Sequence, residues 1–278
     1  MNDGTAPAVA ERTLGSLALR AISALAMAPV AVGAILLGSP YFDLLVALGC
    51  GVLAWEWRHL CGDGRFGGVG WLLMGGVLAV VAAAALGLFT AAGVLTLGAA
   101  AAVYGALART GRATAAWHAA GVIYLAVPSV ALLWLYGAAE STAVLWLFLV
   151  VWATDIGAYA AGRLLGGPRL APRLSPNKTW AGVAGGFVAA AVAGSLLGPS
   201  LGVSSRGLVG ALSAFVSLAA QVGDLAESAI KRHFKVKDMS GLIPGHGGLF
   251  DRVDGLLAAA PAVALVELFS GGGVLSWR

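Results

Sequence analysis

The chain has 278 residues, enough for one large domain or two of ordinary size. Apolar residues make up 59% and charged residues only 11%, against about 25% charged in an ordinary soluble domain. So few charges cannot coat a water-soluble globule of this size, and the abundance of Leu, Val and Ala excludes disorder. Glycine is frequent, 41 residues, but lacks the triplet period of collagen, and the two cysteines, Cys50 and Cys61, are too few for a disulfide framework or a zinc site. The composition leaves an all-α, polytopic integral membrane protein with short polar loops.

A membrane helix needs about 20 mostly apolar residues to cross about 30 Å of hydrocarbon. Nine runs fit, near 16–37, 41–57, 68–88, 91–107, 116–137, 141–161, 180–198, 207–223 and 255–270. Residues 1–15 read as a polar cytoplasmic lead. Ala26-Met27-Ala28 resembles a signal-peptide cleavage site, but the run continues apolar to Leu37 and further spans follow, which favours a retained helix. With the N-terminus placed inside, every Lys and Arg except Arg206 and Arg278 falls on the cytoplasmic side, as the bias of basic residues toward cytoplasmic loops demands. The net charge of +4 then describes a cationic membrane face suited to anionic headgroups or phosphates, and not a nucleic-acid partner. For Arg58, Arg65, Arg109 and Arg112 the topology rule alone is a sufficient reading. Organisation follows as the lead 1–15, N-terminal membrane helices over 16–110 and a C-terminal catalytic region over 111–278.

The N-terminal half is chemically quiet. Glu56 stands at a helix end between Trp55 and Trp57 and reads as part of an interfacial anchor. His118 and Tyr124 read as packed or interfacial residues, and Gly182 and Gly186, four apart, as a close helix contact. From Asp155 onward the picture changes. An ionisable group inside an apolar helix costs about 2.5–3.5 kcal/mol on insertion scales, which makes Asp155 a candidate for function; an ion pair with Arg163 is the structural alternative.

The loop over 162–179 is kept non-helical by Pro172 and Pro176 and ends with Ser175, Asn177, Lys178 and Thr179 just before a helix expected to open at Trp180. Free N–H groups and the helix dipole favour an anion there, and a lysine and hydroxyls suit phosphate. The loop over 224–254 is richer. The eighth helix is expected to continue past Asp224, stacking Asp224, Ser228 and Lys231 or Arg232 on one face. The chain then turns through Pro244-Gly245-His246-Gly247-Gly248 and reaches Asp251 and Asp254 at the start of the ninth helix. Carboxylates brought together across a glycine-rich turn suit Mg²⁺, which binds through one or two carboxylates plus substrate phosphates. Lys231, Arg232, Lys235 and Lys237 surround this region with positive charge.

Ser228-Ala229-Ile230-Lys231-Arg232, Lys237-Asp238 and the run from Pro244 through Gly245, His246, Gly247, Gly248, Leu249, Phe250, Asp251, Arg252 and Val253 to Asp254 together resemble the signature of phosphatidate cytidylyltransferases, the CDP-diacylglycerol synthases. Two upstream motifs of that family are matched by Asp155-Ile156-Gly157-Ala158-Tyr159 with Gly162-Arg163, and by Ser175 to Trp180. The likeness is weak over the N-terminal helices and strong from Gly121 onward. One departure is Ala181, where the family often carries Glu.

The resemblance implies an all-helical, homodimeric enzyme of the bacterial inner membrane, with its active site facing the cytoplasm. It would convert CTP and phosphatidic acid to CDP-diacylglycerol and pyrophosphate. It also implies that Asp224 and Asp251 hold a metal centre of Mg²⁺ with a second cation such as K⁺, with Ser228 and Asp254 beside them. Lys231, Lys237, Arg232, Arg252, Gly247 and Gly248 would meet CTP or lipid phosphate, joined by Ser175, Asn177, Lys178 and Thr179; His246 would either donate to phosphate or pack the turn, and Asp155 would either position Lys178 or line the cavity. The attacking phosphate is already ionised at neutral pH, so positioning and charge neutralisation carry the chemistry. The alternatives are a CTP-dependent polyprenol kinase, whose hydroxyl acceptor would need a general base, and an ion-coupled transporter, for which the chain shows no inverted repeat.

Overall fold

The computed structural model describes residues 26–62, 65–109, 111–198, 205–243 and 247–270. The lead 1–15, the first part of the first expected span and His246 lie outside the described residues. The described chain is almost wholly helical: α1 Ala26–Leu37, α2 Tyr41–Cys61, α3 Gly67–Ala85, α4 Phe89–Leu107, α5 Arg112–Leu164, α6 Trp180–Leu197, α7 Arg206–His233 and α8 Phe250–Phe269. Between α5 and α6 lies a hairpin of β1 Arg169–Ala171 and β2 Ser175–Thr179. Among the described residues, seven segments are long and apolar enough to cross a membrane. Large apolar side chains such as Leu97, Ile156 and Val94 project outward at 67–71% exposure, which suits a lipid solvent and not water. The protein is a polytopic membrane protein.

The fifth and sixth expected spans fall within the single helical run of α5. That run is not straight. Tyr124 stacks on Phe250 with ring centroids 5.6 Å apart, while a Cβ on Gly255, five residues further along α8, would lie 3.5 Å from Val151. A straight helix would separate Tyr124 from Val151 by about 40 Å at about 1.5 Å per residue. The chain therefore doubles back between a first limb, Arg112–Ala138, and a second, Ser141–Leu164. The sequence boundary near 138–140 is right, and no loop is needed to make it.

This reversal makes α5 the centre of the bundle, in contact with α2, α3, α4, α6, α7 and α8. The basic loops gather at one end as a result. There Trp57 at the end of α2 meets Trp117 at the start of α5, and Trp117 meets His233 and Phe234 at the end of α7. At the other end Tyr136 stacks on Phe42 at the start of α2. The alternation of helix directions is the one that the distribution of Lys and Arg requires.

Two boundaries differ from expectation. The loop with Pro172 and Pro176 is non-helical, as its prolines dictate, but it pairs as a two-stranded antiparallel sheet with Arg169 opposite Thr179 and Ala171 opposite Ser175. Pro176 is tolerated because such a small sheet consists of edges. Helix α8, where the ninth span is expected, begins at Phe250, five residues before its apolar run, so Asp251 lies in its first turn; α1 and α8 are not among the seven segments that qualify as spans.

Close helix packing is concentrated where α6 crosses the second limb of α5. A Cβ on Gly157 would lie 2.7 Å from the carbonyl of Gly185 and collide with Ala189, and a Cβ on Gly185 would lie 2.8 Å from the carbonyl of Gly157 and collide with Ala161. Gly182 and Gly186 likewise face Ala158 and Thr154 carbonyls at 3.0 Å. Small residues here let backbones touch, the main source of helix association in lipid. Gly185→Leu should therefore lower the thermal midpoint of the detergent-solubilised protein, with a cost of about 1–3 kcal/mol or more from overpacking. Gly75→Ala, whose Cβ meets nothing within 4 Å, should leave the midpoint unchanged or raise it. A thermal-shift assay of both variants checks this.

Candidate functional site

The functional groups converge at the basic end, between α7 and α8. Amphipathic α7 starts on a Ser205 cap, whose Oγ accepts from the Leu208 N–H at 3.4 Å, and carries Lys231, Arg232 and His233 in its last turn. Cations there complement the negative end of the helix dipole. Gly223 sits one residue before Asp224 and is buried against α8: a Cβ there would lie 2.6 Å from the Asp254 carbonyl and 2.7 Å from Ala258 Cβ. Its lack of a side chain brings the two helices into backbone contact, and Asp254 reaches Asp224.

The result is an acidic cluster. Ligand-capable oxygens of Asp224, Glu227 and Asp254 all lie within 4.8 Å of one another. Glu227 is 1% exposed, and its Oε1 is buried without a hydrogen-bond partner among the described residues. An orphaned carboxylate oxygen inside a group of like charges is costly unless a cation meets it. Hard oxygen donors at this spacing are the set a divalent metal uses, so the residues present fit a metal centre.

Two lysines offset the charge. Lys178, at the end of β2, ion-pairs with Asp224. Lys231 lies 2.8 Å from Glu227 and 2.7 Å from Asp251 Oδ1. Removing Lys231 would leave two nearly buried carboxylates facing each other, an uncompensated arrangement costing roughly 3–5 kcal/mol.

Asp251 stands beside the cluster and not in it. Its Oδ2 accepts from the N–H groups of Met239 at 3.0 Å and Gly248 at 2.8 Å, and its Oδ1 is taken by Lys231. Gly247 has φ +82°, a left-handed conformation that glycine adopts without strain. A Cβ there would approach Asp251 Oδ2 to 2.9 Å. The expectation that Gly247 and Gly248 open their N–H groups to phosphate meets a different arrangement: the Gly248 N–H already serves Asp251.

The remaining expected residues distribute around this centre. Asp155 lies near Asp224, Arg252 and Lys178. Its structural alternative fails, because Arg163 donates to the Tyr159 hydroxyl at 2.7 Å, not to Asp155. Thr179 is the cap of α6, its Oγ1 accepting from the Gly182 N–H at 3.1 Å, which leaves that hydroxyl less available to a substrate. Arg232 is exposed and donates to the Leu174 carbonyl at 3.1 Å, tying the hairpin to α7. Ser228 is buried on α7; Lys237 and Arg252 are exposed, as are Pro176 and Asn177 on the hairpin, with Ser175 half-buried.

Two further acids belong to this end of the bundle: Glu227, which the motif spacing does not single out, and Glu56, whose setting differs from the one its tryptophans suggest. Glu227 stands three residues after Asp224 and four before Lys231, a spacing that places it on their side of α7. Glu56 is not an interfacial anchor. It is fully buried, and its carboxylate accepts from Ser240 Oγ and from the N–H groups of Leu249 and Phe250.

Residues 18–269 match the cytidylyltransferase family. The chain belongs to that family. It is a nucleotidyltransferase, and known cytidylyltransferases extend the likeness across nearly its whole length. A phosphatidate cytidylyltransferase of Brucella suis biovar 1 (strain 1330) is 41% identical over 266 residues, covering 92% of this chain and 94% of its own. One of Pseudomonas aeruginosa is 36% identical over 273 residues, covering 91% and 98%. One of Bacillus subtilis (strain 168) is 45% identical over 125 residues, 44% of this chain and 46% of its own.

For this cytidylyltransferase, metal binding should be measurable without turnover. Titration with Mn²⁺, read by electron paramagnetic resonance, should show a site whose affinity falls at least tenfold in Glu227→Gln and in Gly223→Ala. Lys237→Ala, outside the cluster, should bind as wild type does.

Proposed function

We propose that the protein is a phosphatidate cytidylyltransferase that transfers CMP from CTP to phosphatidic acid, giving CDP-diacylglycerol and pyrophosphate for phospholipid synthesis. The observation that carries this reading is the cluster of Asp224, Glu227 and Asp254 flanked by Lys178 and Lys231, at the membrane face where the basic loops gather.

In the reaction a phosphate oxygen of the lipid attacks the α-phosphorus of CTP. The bond to the β-phosphate breaks and pyrophosphate leaves. The lipid phosphate is an anion already, so the chain need not remove a proton; its task is to seat two polyanions side by side. Lys178 and Lys231 hold their ammonium groups against Asp224, Glu227 and Asp251, a placement from which each can turn to a phosphate. With Lys231 drawn onto a phosphate, Asp251 is released as a further oxygen donor. Lys237, Arg232, Arg252 and the hairpin residues Ser175 and Asn177 would meet the phosphates of the arriving CTP. Bound at Asp224, Glu227 and Asp254, Mg²⁺ with a second cation such as K⁺ would neutralise the phosphates and stabilise the entering and leaving oxygens. Asp155, on the second limb of α5, lines the side open to lipid, from which phosphatidic acid enters. We read the enzyme as a homodimer of the bacterial inner membrane, with its N-terminus and active site on the cytoplasmic side, where CTP is found.

Purified protein given phosphatidic acid, Mg²⁺ and CTP labelled in cytosine should place label in CDP-diacylglycerol and release pyrophosphate only when the lipid is present. Asp224→Asn should lower that rate by at least 10²-fold. Label confined to a lipid monophosphate when the γ-phosphate carries it would instead indicate a kinase.

A further inference from the structure

The N-terminal half carries none of the groups just assigned, yet one of its side chains reaches the site. Glu56 belongs to α2 and is 0% exposed. Its Oε1 accepts from Ser240 Oγ at 2.6 Å and from the Leu249 N–H at 2.9 Å, and its Oε2 accepts from the Phe250 N–H at 2.8 Å. Helix α8 starts at Leu249–Phe250 and has no side-chain cap of its own. The first N–H groups of any helix lack intrahelical partners and must find them elsewhere. Here a carboxylate nearly two hundred residues away in sequence supplies them, and its charge lies at the positive end of the helix dipole.

The surroundings are shaped to this contact. A Cβ on Gly248 would collide with the Glu56 carboxylate, so the glycine admits it. Trp57, next to Glu56, packs 5.8 Å from Phe250 and 5.6 Å from Tyr124, and Tyr124 stacks on Phe250. This aromatic triangle holds the Phe250 ring while Glu56 holds its N–H. Asp251 follows Phe250 directly, and Asp254 lies one turn on.

We propose that Glu56 is a positioning residue of the transfer reaction: from α2 it sets where α8 begins, and so the placement of Asp251 and Asp254 against Asp224, Glu227 and Lys231. This inference rests on the proposed function for its catalytic consequence, and on hydrogen-bond geometry alone for the anchoring itself. It gives the chemically quiet helices a part in the reaction. Gln at this position cannot reproduce the contact. Its one carbonyl oxygen can serve Ser240 and Leu249, but its NH₂ then faces the Phe250 N–H, donor against donor.

The test uses the full chain in detergent or nanodiscs. Wild type, Glu56→Gln and Ser240→Ala are compared by kcat, KM for CTP, Mg²⁺ half-saturation and amide hydrogen exchange. Glu56→Gln should lower kcat on the order of 10²-fold, the penalty expected for misplaced reacting groups. KM for CTP should change little, and the Mg²⁺ requirement should rise. Exchange at Leu249 and Phe250 should quicken while that of α6 and of the first turns of α7 stays as in wild type. Ser240→Ala, which removes one of the three bonds, should show the same pattern more weakly. Wild-type kcat and unchanged exchange in Glu56→Gln would overturn the proposal. So would accelerated exchange throughout the bundle with wild-type kcat per folded molecule, since that marks a merely structural residue. Should wild type make no CDP-diacylglycerol, the functional reading fails, and exchange at Leu249 and Phe250 still decides whether Glu56 anchors α8.

Discussion

Repulsion between carboxylates is the constraint around which the basic end of the bundle is organised. Asp224, Glu227 and Asp254 are held within 4.8 Å of one another, Asp251 and Asp155 stand close by, and all lie beside an apolar interior where such charges are poorly screened. Three of them, Asp224, Glu227 and Asp251, have a specific counterweight. Lys178 comes from the hairpin to Asp224, Lys231 divides itself between Glu227 and Asp251, and the backbone of the glycine turn covers the second oxygen of Asp251. What is not compensated is as informative. Glu227 keeps a buried oxygen without a hydrogen-bond partner among the described residues, and that is where an added cation gains most.

Helix packing exists in service of that cluster. The doubled-back α5 lets α8 contact both of its limbs, and the side-chain-free Gly223 lets α7 touch the backbone of α8 beside Asp224. The small residues of the α5–α6 crossing in turn hold Lys178 over the site, because Thr179 and Trp180 begin α6 directly after it. A lipid-facing exterior and a charged interior end are thus built from the same few close crossings.

Much of this was legible in the sequence because its signals are local. Apolar runs and the bias of Lys and Arg gave the order and direction of the spans, and the acid-rich segment after Gly223 marked where carboxylates and lysines converge. The match of its motifs to phosphatidate cytidylyltransferases agrees with the family to which the chain belongs. Contacts between distant segments were not legible. Glu56 looks like any acid at a helix end flanked by tryptophans, and only folding shows it beneath α8. The early start of α8 is illegible for the same reason, since its cap comes from α2. Glu227 is legible by helical spacing, three residues after Asp224 and four before Lys231, but the family motif begins at its neighbour Ser228 and does not mark it. The hairpin of β1 and β2 was hidden by its prolines, which exclude helix without specifying strand.

The measurement that bears most directly on the acidic cluster is the anomalous scattering of a Mn²⁺-soaked crystal of the wild-type protein. The account predicts a peak among the oxygens of Asp224, Glu227 and Asp254, lost in Glu227→Gln. A map with no peak there, and with Lys178 and Lys231 still paired to the carboxylates at saturating metal, would contradict it.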